Sequence, residues 1–93
     1  MDFGRKAREL ECQVRGLAGW PGTYVSFQGQ NLKILAAKAT EGEGMPGCLL
    51  EGERIACGEG ALQLLQVQLP DRKPIGARDF LNGARLKVGE RIF

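Results

Sequence analysis

The chain has 93 residues, of which 43% are hydrophobic and 26% charged, and its formal net charge is +2. These values predict one small soluble globular domain rather than a disordered chain or a membrane protein. No apolar run approaches the roughly 20 residues of a membrane span, and no apolar block follows the charged N-terminus, so we expect no membrane segment or secretory signal and a cytoplasmic protein.

The sequence contains no histidine, which removes the commonest general base near neutral pH and the commonest zinc ligand. Its three cysteines, Cys12, Cys48 and Cys57, form no Cys-x-x-Cys pair, and we expect them to be reduced and structural. A small free-standing enzyme would therefore need unusual chemistry. We expect no catalytic residue and no metal site in this chain.

One helix is predicted over residues 5–17, because apolar residues recur at spacings of three and four. Gly4 is a candidate N-cap, and Arg8 and Arg15 point away from the apolar stripe. A turn follows at residues 20–22, and we expect Trp20 to pack against the helix. The stripe consists of Ala7, Leu10, Val14 and Leu17.

Alternation of apolar and polar residues then predicts two strands, one over residues 23–27 and one over residues 31–39. In the second strand Leu32, Ile34 and Ala36 are expected to share one face, which places Lys33 on the other, toward solvent or a ligand. A glycine-rich loop is expected over residues 40–47.

Further short strands are predicted at residues 48–51 and 54–57 and, after a hairpin turn, at residues 61–69. In the last of these, Leu62 and Leu64 are expected on one face and Leu65 and Val67 on the other. Residues 70–74 break the pattern, residues 79–81 form a helical turn, and residues 86–93 supply a final strand. The fold class is therefore mainly β with a leading α-helix: a single domain over residues 1–93, built as a small OB-like barrel of five or six strands.

Charge is distributed unevenly along the chain. Residues 1–40 carry six Lys and Arg against three Asp and Glu, residues 41–60 one against five, and residues 61–93 six against three. If the barrel brings the two basic segments together, they form a positive surface suited to phosphate. The alternative is that these are ordinary solvated side chains. The cations that would meet are Arg5, Lys6, Arg8, Arg15 and Lys33 with Arg72, Lys73, Arg85, Lys87 and Arg91.

A series of short motifs, in order along nearly the whole chain, resembles the C-terminal domain of the methionyl-tRNA formyltransferase family. No single motif is specific, but so many in the right order make coincidence an inadequate explanation. The motifs are Asp2-Phe3-Gly4, Leu10-Glu11, Val14-Arg15, Trp20-Pro21-Gly22, Gly29-Gln30, Leu32-Lys33-Ile34, Pro46-Gly47, Cys57-Gly58-Glu59-Gly60-Ala61-Leu62, Gln68, Arg72-Lys73-Pro74, Asp79-Phe80-Leu81-Asn82-Gly83 and Gly89.

The resemblance implies an OB-like barrel that binds tRNA, the initiator Met-tRNA in that family, while a separate N-terminal domain binds the formyl donor and carries out formyl transfer. It implies no cofactor in this chain and no formyltransferase activity of the chain alone. Asp71 adds a carboxylate beside the basic pair that follows it. The residues we expect to contact tRNA are Arg8, Arg15, Lys33, Arg72, Lys73 and Lys87.

A second hypothesis stays open beside tRNA binding. The domain resembles, in the same way, the C-terminal barrels of other folate-dependent or sugar-nucleotide formyltransferases, which serve to support a catalytic domain. Retention of tRNA at low salt distinguishes the two hypotheses.

Overall fold

The computed structural model of the protein describes residues 2–16 and 23–93. The turn predicted at residues 20–22 and the packing predicted for Trp20 lie outside the described residues. The predicted fold class, mainly β with a leading helix, is confirmed. The elements are α1 (Ala7–Val14), β1 (Tyr24–Phe27), β2 (Gln30–Thr40), β3 (Leu49–Leu50), β4 (Arg54–Ala56), β5 (Ala61–Gln68), β6 (Ile75–Gly76) and α2 (Ala77–Gly83).

The strands form one antiparallel sheet in the order β1-β2-β5-β4-β3, with β6 paired to β5. The sheet curls into a half-barrel around the long β2–β5 pair. Register shifts between Ile34 and Ala36 and between Ala36 and Ala37 mark bulges in this pair. Bulges bend a strand and increase its twist, which accounts for the curl.

The concave side of the sheet holds the core, where Leu32, Leu62, Leu64 and Val67 are fully buried. From α1, Ala7 and Leu10 enter this core, and from α2, Ala77, Phe80 and Leu81. No helix in the described part of the chain is long and apolar enough to cross a membrane.

The faces of β5 differ from the prediction in one respect. Val67 is buried with Leu62 and Leu64, whereas Leu65, expected on the same face as Val67, is 45% exposed. Pairing of Ala36 with Gln66 and of Ala37 with Leu64 leaves Leu65 as an extra residue in its strand. A bulge shifts the alternation by one residue, so strict period two fails beyond it. In β2 the same irregularity leaves Ala36, predicted on the face of Leu32 and Ile34, only half-buried and places Ala37 in the core instead.

The helix begins later than predicted, because the segment before it is paired with the hairpin between β4 and β5. The Gly58 N–H donates to the carbonyl oxygens of Phe3 and Arg5 at 2.8 and 3.0 Å, and the Ala7 N–H donates to Glu59 at 2.9 Å. Lys6, rather than Gly4, is therefore the N-cap of α1.

The strand predicted over residues 86–93 was wrong. Leu49 exchanges backbone hydrogen bonds with Gly89 and Glu90, but only an isolated bridge between Cys48 and Arg91 has strand geometry. Gly89 has φ of 95°, outside the range of an extended strand. The short β6, in contrast, was not predicted, because it follows directly on the proline-rich break.

The three cysteines are not joined to one another and differ in accessibility: Cys12 is exposed and Cys57 buried. Burial raises the pKa of the Cys57 thiol to about 11. We expect iodoacetamide at pH 8 to modify Cys12 readily and Cys57 at least about 100-fold more slowly, since both the thiolate fraction and access are reduced. Mass spectrometry of the labelled peptides checks this, with the urea-unfolded chain as the control. Equal labelling of both cysteines in the folded chain would contradict the packing around Cys57.

Candidate nucleic-acid interface

Three side chains form a row across the outer face of the sheet. Tyr24 of β1 pairs with Lys33 of β2, and Lys33 pairs in turn with Gln68 of β5. Directly opposite residues of an antiparallel pair lie on the same face, about 5 Å apart. Leu32 and Ile34, the neighbours of Lys33 in the chain, are buried on the other face, which confirms the outward orientation predicted for Lys33.

Lys33 lies over the ring of Tyr24, with its Nζ atom 6.0 Å from the ring centroid. This distance is at the outer limit of a cation–π interaction, which at an exposed site contributes about 0.5 to 1 kcal/mol. Tyr24 remains 50% exposed. The row therefore presents an aromatic ring and an ammonium group together on the surface.

A tight turn beside this row carries the two cations that follow Asp71. The Arg72 N–H donates to the Leu69 carbonyl at 3.2 Å, and Asp71 takes φ of 59°. Pro70 suits the second position of such a turn, and aspartate tolerates the left-handed conformation at the third. Arg72 and Lys73 therefore follow a well-defined turn.

Gln68 joins the row to the turn, because its Nε2 donates to the Arg72 carbonyl at 2.7 Å. On the far side of the turn, Ile75 of β6 pairs with Val67 of β5. The loop between β5 and β6 is thus held at both ends and across its middle. Sites on such supported loops lose less conformational entropy when a ligand binds.

An open cleft of about 450 Å³ lies between the row and the turn. This volume is in the range of sites for small molecules and single nucleotides. The residues that line the cleft, called the Lys33 cleft below, are Tyr24, Asn31, Lys33, Gln68, Leu69, Pro70 and Asp71.

A second cleft, of about 460 Å³, lies on the other side of the same turn. It is bordered by Arg72 and Lys73 and by apolar groups, among them Ile75, which is 36% exposed. The turn thus separates a polar cleft from a more apolar one.

The structure brings Lys33, Arg72 and Lys73 to this end of the sheet, and places the other predicted contact residues differently. Arg15 is exposed at the end of α1 but lies 3.5 Å from Glu11, which offsets its charge. Arg8 lines a shallow cleft with Ala39, Thr40 and Glu59. Ala39 lies about 20 Å along the extended β2 from Lys33, so Arg8 is beside the other end of this strand.

Lys87 lies in the segment after α2, close to Leu49 of β3, which accepts a hydrogen bond from Gly89 at 2.7 Å. Lys87 lines neither of the two clefts beside the turn. The six predicted residues therefore do not line one cleft.

Two further N-terminal cations are engaged by glutamates. Arg5 donates to Glu9 at 2.8 Å, and this hydrogen bond lowers the pKa of the Glu9 carboxyl. Lys6 lies 3.7 Å from Glu59. Among the described residues, no ion pair of 4 Å or less involves Lys33, Arg72 or Lys73. These three cations therefore belong to the described cations whose charge no ion pair offsets, and the others are Arg8, Lys38, Arg54, Arg85, Lys87 and Arg91.

Sequence reasoning missed the aromatic and amide members of the interface, Tyr24, Asn31 and Gln68. The alternation of Tyr24 with buried Val25 and Phe27 signals its outward orientation, but only the register of the strands shows which residues adjoin it.

Within residues 2–16 and 23–93, no group of three or more Cys, Asp or Glu is placed to hold a metal ion.

A curled antiparallel half-barrel with a leading helix defines a small OB-like domain. The model of the formyl transferase C-terminal domain family matches residues 1–85, and the chain belongs to that family. This family membership confirms the resemblance found in the sequence.

Named relatives are methionyl-tRNA formyltransferases. The chain is 45% identical over 89 residues to that of Pseudomonas paraeruginosa, covering 91% of this chain and 29% of the relative. It is 37% identical over 91 residues to that of Cereibacter sphaeroides, covering 98% of this chain and 30% of the relative. It is 39% identical over 97 residues to that of Myxococcus xanthus, covering 100% of this chain and 31% of the relative. The chain thus spans under a third of the length of these relatives.

Proposed function

We propose that this chain is the tRNA-binding, non-catalytic domain of a cytoplasmic methionyl-tRNA formyltransferase that acts in translation initiation. In this proposal the chain holds initiator Met-tRNA, while an N-terminal formyltransferase domain binds the formyl donor and transfers the formyl group. The chain itself contributes no catalytic residue and no cofactor.

The observation that carries the proposal is that Lys33 lines one open cleft and the Arg72–Lys73 pair lines the neighbouring cleft, on either side of the same turn. Basic side chains on a supported surface contact phosphates, and such contacts position nucleic acid without reading its sequence. Lys33, Arg72 and Lys73 form the main contact, and Arg8, Arg15 and Lys87 lie at its periphery.

The test is a salt titration of tRNA binding from about 20 to about 200 mM KCl. Each phosphate contact releases counterions, so log Kd against log salt should have a slope of about 3 for the three cations. Replacing Lys33, Arg72 and Lys73 together by alanine should reduce this slope by about 2 to 3. Initiator and elongator tRNAs should respond alike.

Lys38→Ala is the matched control, because Lys38 is exposed on the same strand but further toward its other end. We expect its slope to stay within about 0.3 of the unaltered chain. An unchanged slope in the triple variant, or an equal loss in Lys38→Ala, contradicts the assignment of Lys33, Arg72 and Lys73 as the main contact.

The apolar cleft on the other side of the turn favours a second candidate function, support of a catalytic domain. Ile75 is partly exposed there beside Leu69, Pro74 and Phe80. A domain that only supports another would retain tRNA weakly at low salt and equally in all variants. The salt titration therefore distinguishes the two functions.

A further inference from the structure

The Lys33 cleft has features beyond positive charge. Phosphates are contacted by cationic and neutral polar side chains and by backbone N–H groups, none of which carries a negative charge. Here an exposed tyrosine ring, two amides and a carboxylate line the same cleft as Lys33. A carboxylate disfavours phosphate, so Asp71 is poorly explained by phosphate contact alone.

The polar groups of the cleft offer both donors and acceptors. Asp71 accepts through its carboxylate oxygens and Lys33 donates through its ammonium group. Gln68 already uses one Nε2–H on the Arg72 carbonyl, which orients its amide. Asn31 can supply either a donor or an acceptor.

A nucleobase matches this set better than a phosphate does. Guanine carries two adjacent donors, N1–H and N2–H, which fit one carboxylate, and two acceptors, O6 and N7, which fit a lysine. Adenine offers one exocyclic amine, and its N1 atom is an acceptor that the carboxylate would repel. Pyrimidines present a smaller ring for stacking.

We propose that the Lys33 cleft binds one unpaired guanine nucleotide, with the base stacked on Tyr24, its donor edge on Asp71 and its O6 or N7 near Lys33. This inference rests on the proposed function, since it assigns the cleft to an unpaired residue of the bound RNA. Proteins read RNA sequence mainly through unpaired bases that stack on aromatic side chains. The volume of about 450 Å³ accommodates one nucleotide.

The chain contains a single tyrosine, so its ring signals report on this cleft alone. With ring-labelled tyrosine, NMR titrations of the full chain use GMP, AMP, CMP, UMP and inorganic phosphate as probes. GMP should shift the Tyr24 ring protons upfield with a Kd on the order of 1 to 10 mM, the range for one stacked base with a few hydrogen bonds. Inorganic phosphate should leave the ring unshifted. Equal shifts for all four nucleotides, or no shift with GMP, overturn the proposal.

Asp71→Asn tests the recognition of the donor edge. Asparagine also tolerates the left-handed conformation at this position, so the turn should be retained. The preference for GMP over AMP should fall about tenfold, because one amide oxygen replaces two acceptors. An unchanged preference overturns the role of Asp71.

Tyr24→Val tests the stacking of the base. GMP binding, measured from the line width of the GMP H8 signal, should be abolished in this variant, whereas Tyr24→Phe should preserve it.

Parallel tRNA titrations separate this inference from the proposed function. Salt-dependent tRNA binding without a GMP-induced ring shift overturns the guanine site and leaves the proposed function intact. A ring shift with GMP but no tRNA binding overturns the proposed function and identifies the cleft as a site for free nucleotides.

Discussion

Gly58→Ala is expected to lower the free energy of unfolding by about 3 kcal/mol, through overpacking of a site that cannot move aside. A Cβ atom at Gly58 would collide with the backbone carbonyl oxygen of Gly4. The same glycine donates its N–H to Phe3 and Arg5, so relief of the collision would break the bonds that hold the N-terminal segment. Urea unfolding followed by circular dichroism measures the loss.

Two other glycines separate the causes of this effect. Gly83, at the end of α2, has open space for 4 Å around the point that a Cβ atom would occupy, and alanine there should stabilise the helix by about 0.5 to 1 kcal/mol. Gly29 has equal space but φ of 79°, so alanine there should cost about 1 kcal/mol of conformational strain alone. If Gly58→Ala lowers the free energy of unfolding no more than Gly29→Ala does, the N-terminal segment does not pack on the hairpin between β4 and β5.

Phe93→Ala is expected to cost about 2 to 3 kcal/mol, somewhat below the loss for a fully buried phenylalanine. Its ring stacks on Phe3 with centroids 5.3 Å apart and meets the edge of Phe27 at 6.2 Å. Phe3 belongs to the segment before α1, and Phe27 belongs to β1. The C-terminal Phe93 therefore packs against both the N-terminal segment and the first strand. The same urea titration measures the loss.

Val88→Ala provides the control within the C-terminal segment. Val88 is 58% exposed, and its truncation should change stability by less than about 0.5 kcal/mol. A small loss in Phe93→Ala, equal to that of Val88→Ala, would mean that the aromatic contacts add little to the fold.

Sequence periodicity was informative where side-chain direction depends on neighbouring residues alone. Leu32, Lys33 and Ile34 alternate in an unbroken part of β2, and their predicted faces are confirmed. The same reasoning misplaced Leu65, because the bulge arises from the register between β2 and β5. It also gave a strand over residues 86–93, where φ of 56° at Arg85 and 95° at Gly89 redirects the chain.

The residues predicted to contact tRNA show the same difference between what local sequence indicates and what the tertiary structure decides. Lys33, Arg72 and Lys73 were chosen for charge and family resemblance, and the structure places them at one end of the sheet. Arg8 was chosen on the same grounds, yet α1 places it near Thr40, at the opposite end of β2. Charge along the sequence does not specify spatial proximity, because that depends on how the helix docks.

By itself, the sequence determined the leading helix, the main strands, the β-rich fold class and the family, because these depend on local periodicity and on the order of short motifs. Only the tertiary structure decided which side chains share a surface. Tyr24 meets Lys33 through the local β1–β2 hairpin, but Gln68 is distant from both in the chain, and the register that aligns β5 with β2 follows from packing the buried faces of the strands into one core. The Lys33 cleft is therefore a product of long-range pairing, which local patterns do not encode.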